Sequence, residues 1–158
     1  MANNYKSMKN MKSKLLYIIT MFFVILIMSS CTTYYVSINS LKKQFAEIDV
    51  SKRKEVTLLQ GGMFIIGKYS ANTITFIKCT DKNGYQKELK NSPSIETRIT
   101  YGSNNKRVIV YFDTIALDSI NLYGCKSRFI PILNVIIPLD SITKIEIQDG
   151  HKNFSYLN

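Results

Sequence analysis

The 158-residue sequence contains no tryptophan and a single histidine, His151. Metal sites and acid–base catalysis both lean on histidine, and a lone one just past an Asp149-Gly150 turn signal is expected to face solvent. Cys-x-x-Cys, His-Glu-x-x-His and Gly-x-Ser-x-Gly patterns are missing too, which leaves zinc and nucleophile-elbow readings without support. Carboxylate pairs remain as the one route to hydrolysis: Asp113 and Asp118 lie five apart across a strand end, and Glu47 and Asp49 are close in sequence. Acids beside strand ends are ordinary turn chemistry, and a small domain without tryptophan is poorly equipped to stack a sugar ring. No catalytic residue, cofactor or metal ligand is therefore assigned.

Two near-motifs fail on chemistry. Gly62, Gly67 and Lys68 match a phosphate-binding loop, but Tyr69 stands where a Ser or Thr hydroxyl is needed. Met63-Phe64-Ile65-Ile66 between the glycines are bulky residues that suit a pleated, buried strand rather than a flexible cradle. Gly61-Gly62 reads as a turn after the strand at residues 56–59, and Gly67 as a bulge or a close backbone approach. Asp81-Lys82-Asn83-Gly84 opens like a calcium loop, yet Pro93 occupies the position of the bidentate acid.

Helical periodicity is nearly absent after residue 33, where short apolar runs alternate with turn chemistry. The pattern predicts an all-β fold, an antiparallel sandwich or partly closed barrel of about seven to nine strands. Residues 95–101 form the clearest strand, with Ile95, Ile99 and Tyr101 on one face. They pair with residues 107–112 across Gly102-Ser103-Asn104-Asn105. Asn83-Gly84 predicts a type I′ hairpin between residues 73–80 and 85–89, and Asp149-Gly150 another between 144–148 and 153–157. Residues 135–139 are apolar on both faces and are expected to cross the core, with Pro138 at a strand end or bulge. One helix is expected over residues 40–48, where Leu41, Phe45 and Ile48 share a face. Leu117-Asp118-Ser119-Ile120 and Leu139-Asp140-Ser141-Ile142 repeat a turn sequence, which recurring turn chemistry accounts for.

Acids are absent from residues 1–14, which carry Lys6, Lys9, Lys12 and Lys14. Residues 15–28 are an apolar run of 14 residues, within the range of a secretory signal and short of the roughly 20 that span a bilayer. The run ends in Met28-Ser29-Ser30-Cys31. This order of features resembles the signal and lipobox of bacterial lipoproteins, and the resemblance implies a diacylglycerol on Cys31 and loss of residues 1–30. An uncleaved anchor helix and a non-lipidated signal are the alternatives. The lipobox, a Lys/Asn/Ile-rich composition and a strand-dense body together resemble small lipoproteins of Bacteroides-type bacteria. In that group, surface-exposed lipoproteins carry acids just after the lipidated Cys. Residues 32–37 carry none, which favours a periplasm-facing protein, on the outer membrane rather than the inner.

Residues 31–158 then form one lipid-anchored domain of 128 residues, with 17 basic side chains against 11 acidic ones, +6. Lys52-Arg53-Lys54 is the only concentrated basic run and reads as a solvated loop, so nucleic acid is not expected. Cys79 and Cys125 remain, and an oxidising compartment permits one disulfide between them, with free buried thiols as the equal alternative. Ten tyrosines are either strand residues or an exposed interface cluster. The reading that results is a non-enzymatic, lipid-anchored envelope protein that binds the membrane surface or one envelope protein. Its rivals are an immunity lipoprotein with an acidic or aromatic patch, a small hydrolase built on Asp113 or Asp118, and a ligand-binding barrel whose cavity is lined by Phe64, Ile66, Phe76 and Tyr111.

Overall fold

The computed structural model describes residues 32–48 and 52–157. The signal segment, Cys31 and Asp49 lie outside those residues. Among the described residues twelve strands and one α-helix follow in order: β1 (Thr33–Tyr35), α1 (Ile38–Ala46), β2 (Lys54–Gln60), β3 (Phe64–Ala71), β4 (Phe76–Thr80), β5 (Gln86–Lys90), β6 (Ile95–Tyr101), β7 (Lys106–Tyr111), β8 (Ala116–Leu117), β9 (Asn121–Cys125), β10 (Asn134–Pro138), β11 (Ile142–Asp149) and β12 (Phe154–Tyr156). The fold is all-β and antiparallel, as the sequence predicts. The strand count exceeds the expected seven to nine because β1, β8 and β12 are only two or three residues long.

The strands make three sheets, and none closes into a barrel. A six-stranded sheet runs β5-β4-β1-β11-β6-β7, and two three-stranded sheets run β12-β2-β3 and β10-β9-β8. Apolar side chains of the large sheet, α1 and β9 form the main core, with Leu41, Ile77, Ile99, Phe112, Ile115, Leu122 and Ile147 fully buried. Val56, Leu58, Tyr69 and Ala71 form a smaller cluster under the β2–β3 hairpin.

The expected β6–β7 hairpin forms with Glu96 opposite Tyr111 and Tyr101 opposite Lys106. The β2–β3 hairpin also forms, turning at Gly61 (φ +63°) and Gly62 (φ +74°). These are left-handed backbone conformations that glycine adopts without strain. Its ladder shifts register between Leu58 and Leu59, which makes Ile66, next to Gly67, the extra residue of a bulge. The helix starts two residues before the expected position. Ser37 caps it, its Oγ accepting the Ser40 N–H at 3.1 Å, and Leu41 and Phe45 point into the core as their spacing requires.

Several expectations need correction. Asp149-Gly150 does not make a hairpin, because β12 pairs with β2 and not with β11. Gly150 donates instead to the Ser94 carbonyl at 3.0 Å, and His151 takes the positive φ of 48° as the chain crosses to the second sheet. The turn between β4 and β5 is not type I′, which needs φ > 0 at both central residues. Only Gly84 has it, and Asp81 Oδ1 accepts the N–H groups of Asn83 and Tyr85, so the carboxylate organises a longer loop. β10 does not cross the core. It is the edge of a small sheet covered on one face, so Ile137 is 1% exposed while Ile136 is 64% exposed; Pro138 ends it as expected. Cys79 and Cys125 are both free, since Cys79 sits on β4 of the large sheet and Cys125 on β9 of a small one. Burial pushes the Cys79 thiol up to about 11.

Gln44 shows how short β1 is compensated. β5 covers one side of β4, but beyond the single β1–β4 pairing of Tyr35 with Thr80 the Lys78 backbone has no strand on the β1 side. Gln44 fills the gap: its Oε1 accepts the Lys78 N–H at 2.8 Å and its Nε2 donates to the Lys78 carbonyl at 3.0 Å. Gln44→Ala removes both partners, so the chemical-denaturation midpoint is expected to fall by an amount equivalent to about 1–3 kcal/mol, more than for Ser40→Ala.

Candidate functional site: a buried Asp113–Arg128 cluster and the cleft above it

Asp113 lies in a 3₁₀ turn directly after β7 and has no exposed surface. Arg128, in the segment between β9 and β10, meets it with a side chain 2% exposed. The guanidinium donates from Nε to Oδ2 at 3.2 Å, and from Nη2 to Oδ1 at 3.2 Å and Oδ2 at 3.0 Å. Arg128 Nη2 also donates to the Pro93 carbonyl at 2.6 Å, just before β6. From the β12-β2-β3 sheet, the Tyr69 and Tyr156 hydroxyls both donate to Oδ2, that of Tyr156 at 2.9 Å. The Arg128 guanidinium lies over the Tyr111 ring, 3.6 Å from its centroid, and Lys152 Nζ approaches the same ring at 4.7 Å. Lys152 is itself paired with Glu96.

Burial, reinforced by the Asp113 charge, pushes both phenols well above their ordinary value, so Tyr69 and Tyr156 stay protonated as donors. Asn72 holds the turn from the other side. Its N–H donates to the Asp113 carbonyl at 2.7 Å and its Nδ2 to the Phe112 carbonyl at 2.7 Å. Four of the five hydrogen bonds to the carboxylate thus fall on Oδ2, and Oδ1 accepts only Arg128 Nη2.

Above the cluster, between β3 and the β9–β10 pair, lies a cleft of about 450 Å³ whose lining includes Arg53, Tyr69, Ser70, Thr114, Tyr123, Cys125 and Arg128. Arg53 stands at its side with its guanidinium donating to Ser70 Oγ at 3.1 Å, to the Ser70 carbonyl at 2.7 Å and to the Thr114 carbonyl at 3.2 Å. Among the described residues no Asp or Glu lines the cleft.

The carboxylate pairing expected of a hydrolase is not present among the described residues. Asp113 faces Arg128 and two tyrosines. Asp118 caps its own turn, accepting the N–H groups of Ile120 and Asn121 and the Tyr123 hydroxyl at 2.6 Å; those hydrogen bonds, Tyr123 first, lower its carboxyl below the usual range. Glu47 makes a surface pair with Lys78 at 3.5 Å. The barrel cavity fails as well, since Phe64, Ile66 and Phe76 are exposed and Tyr111 stacks on Arg128. His151 is exposed, as expected. Among the described residues no group of three His, Cys, Asp or Glu is placed to hold a metal ion.

Sequence reasoning picked out Asp113 but not its partners. Arg128 lies fifteen residues away with no spacing that signals a pair, and Tyr69 drew notice only as the residue spoiling a phosphate loop. Part of the tyrosine surplus serves neither an exposed interface nor plain strand propensity. Tyr69, Tyr111 and Tyr156 surround one internal ion pair. No protein-family model, curated protein or solved structure matches the chain, so the cluster is interpreted from its own chemistry.

That chemistry predicts a hierarchy. Arg128→Ala leaves a buried carboxylate without its cation and is expected to cost about 3–5 kcal/mol in chemical denaturation, whereas Tyr156→Phe removes one hydrogen bond and costs about 1 kcal/mol. The pH dependence follows from the raised phenols. Because they ionise less readily folded than unfolded, their contribution is complete below about pH 10 and is lost as pH rises above it. The thermal midpoint of the parent should therefore fall above about pH 10, and the Tyr69→Phe/Tyr156→Phe double variant should show a shallower fall.

Proposed function

We propose that this protein is a non-enzymatic, lipid-anchored envelope protein that binds the membrane surface or another envelope protein. The observation that carries this reading is a group of large apolar side chains facing solvent. Met63, Phe64 and Ile65 on the β2–β3 hairpin are 78%, 67% and 66% exposed, and Ile132 between β9 and β10 is 89% exposed. Scattered exposed apolar residues are ordinary on soluble proteins, but consecutive ones at a hairpin tip mark a contact surface.

The two other parts of the reading have separate support. The most elaborate polar cluster is a buried ion pair whose partners all come from the chain itself, which suits a structural role. The lipobox resemblance at Met28-Ser29-Ser30-Cys31 supplies the anchor. Acyl transfer contributes about 0.8 kcal/mol per buried methylene, so two or three chains hold a protein at a bilayer without a spanning segment. A periplasm-facing position follows from the absence of acids in residues 32–37.

Intact-mass measurement of the protein recovered from its native envelope, beside a Cys31→Ala version, tests the anchor; a cross-linked pull-down from the same material tests the binding role. The expected result is loss of residues 1–30 with a diacylglyceryl mass on the parent only. An unprocessed parent chain overturns the lipoprotein reading.

A further inference from the structure

One end of the six-stranded sheet gathers chain segments that are distant in sequence. Thr33 lies opposite Gln148, and Asp149 opposite Ile95. The start of β1 therefore shares this end with the start of β6 and the finish of β11. Tyr35 pairs with Thr80, and the antiparallel register carries the β4–β5 turn, with Tyr85 at 68% exposure, to the same end. The tip of the β2–β3 hairpin is held there too: the Gly61 N–H donates to the Asn153 carbonyl at 2.9 Å. Only four residues lie between Gln148 and Asn153, a span of at most roughly 20 Å.

At that tip Met63, Phe64, Ile65 and Ile66 are exposed and belong to neither core cluster. Phe129, 41% exposed, extends the apolar surface, because its ring sits 2.8 Å from where a Cβ on Gly67 would lie. Neither residues 56–80 nor residues 119–139 contain an acid, so nothing in these segments opposes a negatively charged surface.

We propose that residues 63–66, with Phe129 beside them and Tyr85 on a separate turn at the same end of the large sheet, form a membrane-docking surface that seats the domain on the same phospholipid bilayer that holds the Cys31 lipid. The inference rests on the lipoprotein reading and deepens it by naming the partner and the side chains. A single residue, Thr32, separates Cys31 from β1, and one residue reaches no more than about 3.6 Å. So short a tether keeps this end of the sheet at the headgroups and leaves no room for a protein between the domain and the lipid. Insertion is shallow. The hairpin's backbone groups stay among hydrated headgroups, since acyl chains offer them no hydrogen bonds, while its apolar side chains reach the acyl boundary and the Tyr85 ring suits the interface.

The absence of tryptophan makes the test direct, because Phe64→Trp introduces the only indole in the chain. The full-length lipidated variant is reconstituted into phosphatidylethanolamine/phosphatidylglycerol vesicles with plain or brominated acyl chains, and flotation is measured alongside emission. Side chains seated about 5–10 Å deep meet the brominated carbons, so emission should fall at least about twofold in brominated vesicles. Asn104→Trp, in the β6–β7 turn at the opposite end of the sheet, should stay unquenched. Met63→Trp repeats the test at the neighbouring position should Phe64→Trp disturb the hairpin. Flotation without quenching overturns the docking surface and leaves the anchor standing. Failure to float overturns the anchor, and titration of the same vesicles into the unlipidated protein then decides the hairpin alone: quenching upholds docking and its absence ends it. Protein cross-links from residue 64 in place of quenching likewise overturn the bilayer as partner.

Discussion

The three sheets of this fold meet at one charge. Asp113 belongs to the turn that closes the large sheet, Tyr69 and Tyr156 to the second sheet, and Arg128 to the segment joining two strands of the third. Withdrawing a carboxylate and a guanidinium from water costs several kcal/mol per ion, and mutual attraction offsets this only when the remaining polar positions are filled. Here two phenols join the arginine on Asp113 Oδ2, and the Pro93 carbonyl and Tyr111 ring meet the base. An apolar junction of equal volume would tolerate many packings. A charged one tolerates few, because any arrangement that withdraws a donor leaves a buried charge short of partners.

The cluster therefore sets register as well as position. A one-residue slip of β3 would turn Tyr69 to the opposite face and deprive Asp113 of a donor. The same restraint orients Arg128, and with it Phe129, whose ring closes on Gly67. A Cβ on Gly67 would come within 2.8 Å of the half-exposed Phe129 ring, so a side chain there would push the ring aside.

Much of the fold was legible because it rests on local rules. Alternation gave the β6–β7 hairpin, paired glycines the β2–β3 turn, and a four-then-three spacing the helix. The errors arose where the chain obeys partners far away in sequence. Asp149-Gly150 has the composition of a tight hairpin, yet β12 finds β2 instead of β11. The apolar run 135–139 resembles a central strand, but its sheet has only three strands and leaves one face wet. Asp113 could be singled out as an acid near a strand end; that its neighbours would be an arginine and two tyrosines from separate sheets follows only from the assembled topology.

The β2–β3 hairpin shows a further limit of periodicity. Below its bulge, Tyr69 and Ala71 alternate inward over Val56 and Leu58 as a half-buried strand should. Above it, Phe64 and Ile65 are both about two-thirds exposed, although Leu59, opposite Ile65, is buried. The bulge bends an edge strand, one of the devices that discourage pairing with a second copy. Residues chosen only for the core would end with the core. Four large apolar side chains continue past it, outside both core clusters. The sequence expectation that Met63-Phe64-Ile65-Ile66 want an apolar environment survives in altered form: the preference is real, and the folded domain does not supply it.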